Sequence, residues 1–239
     1  MLTLYDNMDS GNGYKARLLL HKLDLPYKRV ELDIDRSETR TAQFLVKNPN
    51  GRIPTLEFGD GTCLAESNAI IHYLAEGSAY LPADRLKHAQ VLQWMFFEQY
   101  SHEPYVATPR YIVRHLGRDH ARMKELPDRH QKGHAALAVM DGHLAKRRFF
   151  VDERLTLADI ALYAYTHVAE EGGAGEFIFP GFFINNVAYG HHGVYSHEIQ
   201  ELEWTHGMSQ AESDAFIDLF GSIYCFFNDP HGIQDKGYE

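Results

Sequence analysis

The sequence predicts an α/β layer on a mixed four-stranded sheet, followed by an all-α region. Three observations carry this. The hydrophobic periodicities of residues 1–77 run in the order β-α-β-α-β-β-α. From Arg85 onward the periodicity is helical only. Residues 77–84 between the two contain Gly77, Ser78 and Pro82 and read as a linker. Two domains are therefore expected, over 1–77 and 85–239.

Each element has its own signal. Leu2 and Leu4 alternate with polar residues, as in a short strand. Residues 9–13 (Asp-Ser-Gly-Asn-Gly) form a turn-rich loop. Ala16, Leu19, Leu20 and Leu23 then recur at i, i+3, i+4 and i+7, one buried helical stripe, and Pro26 ends it. Val30, Leu32 and Ile34 alternate as a second strand. Residues 39–46 read as a short helix, and 48–51 as a turn. Residues 53–58 and 62–65 are two strands joined through Gly59, Asp60 and Gly61, a hairpin signal. Residues 66–76 are helical, with Ile70, Tyr73 and Leu74 on one side. A βαβ unit makes a parallel pair with a right-handed crossover, and the closing hairpin adds antiparallel strands. That is the thioredoxin-like arrangement.

In the second region Leu86, Ala89, Leu92 and Phe96 open a long helix that runs through Tyr100. A further helix covers 128–146, and another starts at Thr156. Thr156 with Asp159 has the form of a capping box, and Leu155 with Ile160 that of a hydrophobic staple. This last helix is apolar nearly all round, which places it centrally.

Composition narrows the function. The formal net charge of −10 argues against a nucleic-acid backbone as partner. No apolar run reaches the ~20 residues of a membrane helix, and no secretory pattern opens the chain; the expected location is the cytoplasm. The two cysteines, Cys63 and Cys225, make neither a disulfide framework nor a four-ligand zinc site. The fifteen histidines are scattered without HExxH-type spacing, so no metal site is expected.

Four segments carry the chemistry: NPNGRIPTLE over 48–57, LAESNAIIHYLAE over 64–76, SGN over 10–12 before a helix, and LTLADIALYAY over 155–165. Together, at this spacing, they resemble the glutathione transferase family, and most of all bacterial members akin to the theta and beta groups. The resemblance covers residues 1–173. It implies a glutathione-binding domain over 1–77, an all-helical domain after it, glutathione as cosubstrate, a small electrophile as second substrate, a role in detoxification, and a homodimer.

The resemblance also assigns residues. In the family the proline matched by Pro54 is cis, and the backbone of the residue before it, here Ile53, pairs with the cysteinyl backbone of glutathione as an added strand. Glu66 would pair with the γ-glutamyl ammonium and Ser67 would donate to the γ-glutamyl carboxylate at a helix N-terminus, where free N–H groups hold anions. Read without a ligand, the same two residues are a first-turn acid and an N-cap serine. Asn12 belongs to the same site. Arg52 would hold the glycyl carboxylate, or is a solvated loop charge.

The catalytic task is to make a thiolate at neutral pH. A thiol titrates near ~8.5, and a downward shift of two units needs roughly 2.7 kcal/mol. One hydroxyl donating to a charged sulfur supplies about 1.5–3 kcal/mol, and a helix N-terminus adds about 0.3–1 kcal/mol. Ser10 matches the serine of theta-like members and heads the first helix; Tyr5, on the first strand, is its competitor. Asn12 and Gly13 stand where related members carry a cysteine, which disfavours a mixed disulfide with the protein. The lack of a CxxC after the first strand argues against a disulfide reductase. A non-catalytic glutathione-binding protein and a glutathione-dependent reductase remain as alternatives. Trp94, Met95, Phe97, Tyr100, Tyr105 and Tyr111 mark the region expected to line the electrophile pocket, although such clusters are more often core. After Gly173 the chain departs from the family: the tail over 174–239 is rich in Gly, Asn, His and aromatics. A helix is expected over 210–227, capped by Ser209 and Glu212.

Overall fold

Strand β1 (Leu2–Asp6) lies inside a four-stranded sheet of order β2-β1-β3-β4. β2 (Tyr27–Glu31) runs parallel to it with Leu2 opposite Tyr27; β3 (Thr55–Glu57) runs antiparallel on its other side with Leu4 opposite Leu56. β4 (Cys63–Ala65) closes the hairpin, with Thr55 opposite Ala65. The computed structural model describes residues 1–173. The expected 210–227 helix, its Ser209–Glu212 cap and Cys225 lie outside the described residues.

Side chains alternate across the sheet. Leu4 and Leu56 face helices α1 (Gly11–Lys22) and α3 (Ser67–Leu74), where they form a core with Ala16, Leu20 and Ile70. Tyr5 points to the opposite face and packs on Phe44 of α2 (Ala42–Lys47), ring centroids 5.8 Å apart. The predicted topology of residues 1–77 is therefore the observed one.

The differences are local and have physical causes. Helix α1 begins at Gly11, so Gly11, Asn12 and Gly13 form its first turn rather than a loop. β2 stops at Glu31, before Leu32 and Ile34, because the Asp33 carboxylate accepts from the Asp35 and Arg36 N–H groups and turns the chain. The predicted 39–46 helix is broken at Thr41, whose hydroxyl accepts from the Phe44 N–H and caps α2. β3 excludes Ile53 and Pro54. Tyr73 of α3 turns outward, 54% exposed, and Ile71 is buried in its place.

Helix α4 (Arg85–Phe97) is capped by the Asp84 carboxylate, which accepts from the Leu86 and Lys87 N–H groups. It buries Val91, Trp94 and Met95; of the residues whose spacing predicts the helix, Leu92 is half-buried and Leu86, Ala89 and Phe96 face outward. The chain then stays helical past Tyr100. A π-helical turn over Glu98–His102 leads into α5 (Glu103–Tyr111), and a second over Ile112–Leu116 follows it. Pro104 is in the first turn of α5, where its missing N–H costs little, and Pro109 lies inside α5, where the Tyr105 carbonyl loses its helical donor. Helix α6 (Leu126–Leu144) matches expectation, as does α7 (Leu157–Thr166). Leu157, Ala158, Ile160, Ala161, Leu162 and Ala164 are all buried, and α7 packs on α1, α3, α4 and α5. Asp159 closes the capping box: one carboxylate oxygen accepts from the Thr156 N–H and hydroxyl, both at 2.8 Å, and the other from the Phe150 N–H at 2.9 Å. Among the described residues no helix is long and apolar enough to cross a membrane.

The β1–α1 junction is fixed by charge. The Arg17 guanidinium on α1 pairs through Nη1 with the Asp6 carboxylate at the end of β1, both buried; Nη1 also donates to the Asn7 carbonyl at 3.2 Å and Nη2 to that of Met8 at 3.0 Å. Burial pushes the Asp6 carboxyl up, and Arg17 opposes that shift. Arg17→Met leaves this carboxylate buried without its partner and is expected to cost about 3–5 kcal/mol of unfolding free energy in urea titrations. Asp159→Ala, which strands the Phe150 and Thr156 N–H groups, is expected to lower the same quantity by about 2 kcal/mol.

Candidate functional site

The strand register brings three segments to one end of the sheet. Tyr5 opposite Thr55, and Thr55 opposite Ala65, align the 7–10 loop, the 52–54 segment and the start of α3. Every residue singled out from the sequence for the glutathione site lies on these segments or on the first turn of α1.

Ser10 is the N-cap of α1, with extended backbone at φ −78° and ψ 118°. Its Oγ accepts from the Gly13 N–H at 3.1 Å. That bond occupies an acceptor and leaves the hydroxyl proton without a partner among the described residues. Ser10 lines an open cleft together with Ile53, Arg110, Tyr111, His115 and Tyr165. The competitor, Tyr5, is committed elsewhere: its hydroxyl donates to Glu57 Oε2 at 2.6 Å, beside the Lys47–Glu57 ion pair, and burial pushes its pKa up.

The loop that carries Ser10 has successive carbonyls tied to guanidinium groups. Arg17 takes those of Asn7 and Met8, and Arg110 of α5 donates to that of Asp9 at 2.8 Å. Arg110 and Arg114 both donate to Glu171 Oε2 at 2.5 Å. Burial alone would raise the Glu171 carboxyl, but the two guanidiniums outweigh it and hold it below the usual carboxylate range. Two glycines let this region close. A Cβ on Gly13 would overlap the Asp6 carboxylate, and one on Gly11 would lie 2.5 Å from the Tyr165 ring and 2.8 Å from the Ala164 carbonyl.

The Ile53–Pro54 peptide bond is cis, as the resemblance implies. The backbone N–H and C=O of Ile53 make no hydrogen bond among the described residues. Ser67 opens α3 as its first helical residue, and Glu66 occupies the cap position at φ 69° and ψ 115° without a side-chain cap bond. The N-cap serine considered from the sequence is thus displaced by one residue. Glu66 is exposed, as is Arg52. Ser67 is 6% exposed, and its hydroxyl donates to Asn12 Oδ1 at 3.0 Å. Asn12 also donates through Nδ2 to Glu103 Oε1 at 2.8 Å, and its N–H donates to the Tyr165 hydroxyl at 3.2 Å.

The structure therefore joins Ser10 with Ile53 in one cleft and Asn12 with Ser67 in one hydrogen bond. Of the aromatic residues marked in the second region, only Tyr111 reaches the cleft. Trp94 and Met95 are core, with Trp94 packed on Phe97, His143 and Phe150. Tyr100 is 84% exposed, and Tyr105 lies under the Lys132 ammonium. Among the cleft residues the sequence did not reveal are Asn7, Ala107, Arg110, His115 and Tyr165. Among the described residues no group of three or more His, Cys, Asp or Glu side chains is disposed to hold a metal ion.

Residues 1–76 match the family model described as glutathione S-transferase, N-terminal domain, and residues 93–175 match glutathione S-transferase, C-terminal domain. A solved glutathione S-transferase from Pseudomonas fluorescens Pf-5 is 49% identical, with a TM-score of 0.73 over 76% of this chain and 90% of that one. A glutathione transferase from Pseudomonas putida, crystallised with glutathione disulfide, is 26% identical, with a TM-score of 0.64 over 72% of this chain and 77% of that one. Elongation factor 1-gamma-B of Xenopus laevis is 33% identical over 165 residues, which cover 67% of this chain and 37% of that protein, so the chain spans little more than a third of this relative's length. The two family matches and the similarity over nine-tenths of the Pseudomonas fluorescens enzyme establish that the chain belongs to the glutathione S-transferase family.

Proposed function

We propose that the protein is a glutathione transferase that binds glutathione across the end of its sheet and activates the thiol through Ser10 for attack on a small electrophile. The observation that carries this is the Ser10 hydroxyl. It caps α1, has its acceptor side taken by Gly13, and presents an uncommitted proton to an open cleft. A hydroxyl donating to sulfur at a helix N-terminus supplies the order of stabilisation that a thiolate near neutral pH requires, about 2–3 kcal/mol.

The remaining residues fit the three charges and the backbone of the tripeptide. Ile53, freed by Pro54, offers an unpaired N–H and C=O to the cysteinyl unit. Glu66 faces the γ-glutamyl ammonium, Ser67 and Asn12 the γ-glutamyl carboxylate, and Arg52 the glycyl carboxylate. The Pseudomonas putida relative with bound glutathione disulfide supports the ligand class. Tyr111, Ala107 and His115 give the cleft a mixed apolar and polar wall for the second substrate. The likeness to elongation factor 1-gamma-B favours a second reading, a glutathione-binding protein without turnover. A homodimer, in the cytoplasm, is part of the proposal; the dimer is supported by the outward stripe on α4, where Leu86 is 68% exposed, Phe96 69%, and Tyr100 beyond them 84%.

Ser10→Ala is expected to lower turnover of chlorodinitrobenzene roughly 10- to 100-fold, the loss of one hydrogen bond to a charged atom, while glutathione still binds. Equal turnover in wild type and variant would remove Ser10 from its role, and no turnover by wild type over a broad electrophile panel would favour the second reading. In calorimetry, Glu66→Ala is expected to weaken glutathione binding about tenfold or more; unchanged affinity would take Glu66 out of the site. Phe96→Glu with Tyr100→Glu is expected to convert a dimer to a monomer in sedimentation velocity, and a wild type that sediments as a monomer would refute the dimer.

A further inference from the structure

Lys15 is fully buried, with 0% of its surface exposed, yet it lies one helical turn from Asn12 and directly behind the start of α3. Its ammonium has three donors, and all three are used. They reach Asn12 Oδ1 at 2.8 Å, Ser67 Oγ at 3.4 Å and Glu98 Oε2 at 2.9 Å. Glu98, also at 0% exposure, comes from the π-helical turn after α4, so the ion pair joins the sheet layer to the helical layer. Glu98 Oε2 further accepts from Asn68 Nδ2 at 3.1 Å and Gln99 Nε2 at 2.9 Å, while its Oε1 is buried without a partner among the described residues.

An ammonium and a carboxylate taken fully out of water each lose several kcal/mol of hydration, and apolar residues of similar size at such positions are often as stable or more so. Stability alone therefore does not account for the pair. Its arrangement suggests another use. Ser67 Oγ donates its proton to Asn12 Oδ1. Because Lys15 also donates to Asn12 Oδ1, that oxygen stays satisfied when the Ser67 proton swings away. Because Lys15 donates to Ser67 Oγ as well, the hydroxyl keeps one bond while it turns.

We infer that Lys15 is a positioning residue for the γ-glutamyl end of glutathione: buried behind Asn12 and Ser67 and neutralised by Glu98, it holds both side chains and frees the Ser67 hydroxyl to donate to the ligand carboxylate. This rests on the proposed glutathione site. Lys15 makes no contact with solvent and so acts through its neighbours. Its positive charge also lies on the side toward which the ligand carboxylate is drawn.

The test uses the full-length chain. In Lys15→Met with Glu98→Gln both charges are removed together, and the amide that replaces the carboxylate retains an acceptor for Asn68. The double variant is expected to unfold in urea at a midpoint close to that of wild type, to bind glutathione about tenfold more weakly by calorimetry, and to show a raised KM for glutathione with kcat at saturation within about twofold. Lys15→Gln with Glu98→Gln, which keeps a hydrogen-bonding amide at each position and buries no unpaired charge, is expected to weaken glutathione binding at least about threefold. This second variant decides the matter if the methionine variant does not fold. Unchanged glutathione affinity in a folded variant overturns the inference. So does a loss of stability, KM and kcat together, the pattern of a purely structural pair. Absence of glutathione binding by wild type would refute the site itself, and the inference with it.

Discussion

Helix α1 is buried along most of its length between the sheet, α3 and α7, and two of its cations are buried with it. That constraint shapes the surroundings of the candidate site. Lys15 needs a carboxylate from the helical layer, which Glu98 provides, and Arg17 needs one from the sheet, which Asp6 provides. Unpaired, either charge would be costly enough to unfold a marginally stable domain. The fold therefore holds α1 at a fixed depth and rotation, and Ser10, at its head, inherits that precision. Burial and the nearby Lys15 charge also drive the His102 imidazole down to about 3, so it is neutral and donates or accepts as an ordinary polar group with Thr166.

The chemistry at the cleft is an economical use of backbone. One side chain, Ser10, meets an environment in which the neighbouring carbonyls already point at guanidinium groups. The α1 N-terminus adds its partial positive charge in the same place. On the proposed reading, negative charge developing on a sulfur there would be met by the Ser10 hydroxyl and the helix end, with little reorganisation left to make.

Much of this was readable in the sequence wherever local pattern and structure coincide. The four strands, α1, α3, α6 and α7 carry their own periodicity, and the Thr156–Asp159 cap was visible as a spacing. The failures share a cause: tertiary context. Leu86, Ala89, Leu92 and Phe96 mark α4 as a helix by their spacing, but spacing does not say which side meets the core, and Val91, Trp94 and Met95 are the residues buried. The rod from Glu98 to Leu116 was obscured by Pro104 and Pro109, both of which the chain carries within α5 instead of stopping. Arg110, His115 and Tyr165 could not be placed because their partners, Asp9, Asp35 and Asn12, lie 101, 80 and 153 residues away in sequence. Local pattern does not distinguish Lys15 from a surface cation on a helix. Only the approach of Glu98 makes it an interior one.

The Arg110–Asp9 hydrogen bond bears on how such proteins diversify. A loop whose shape were set wholly within the first 76 residues could be paired with any compatible helical half. Here the carbonyl before Ser10 is held by a residue from the second half, which is in turn held by Glu171 still further on. The two family segments are consequently not interchangeable parts. A recombinant that exchanged one for its counterpart from a distant relative would inherit the serine without the geometry around it, so inheritance of these halves is coupled through Arg110, beside the Lys15–Glu98 and Asn12–Glu103 links.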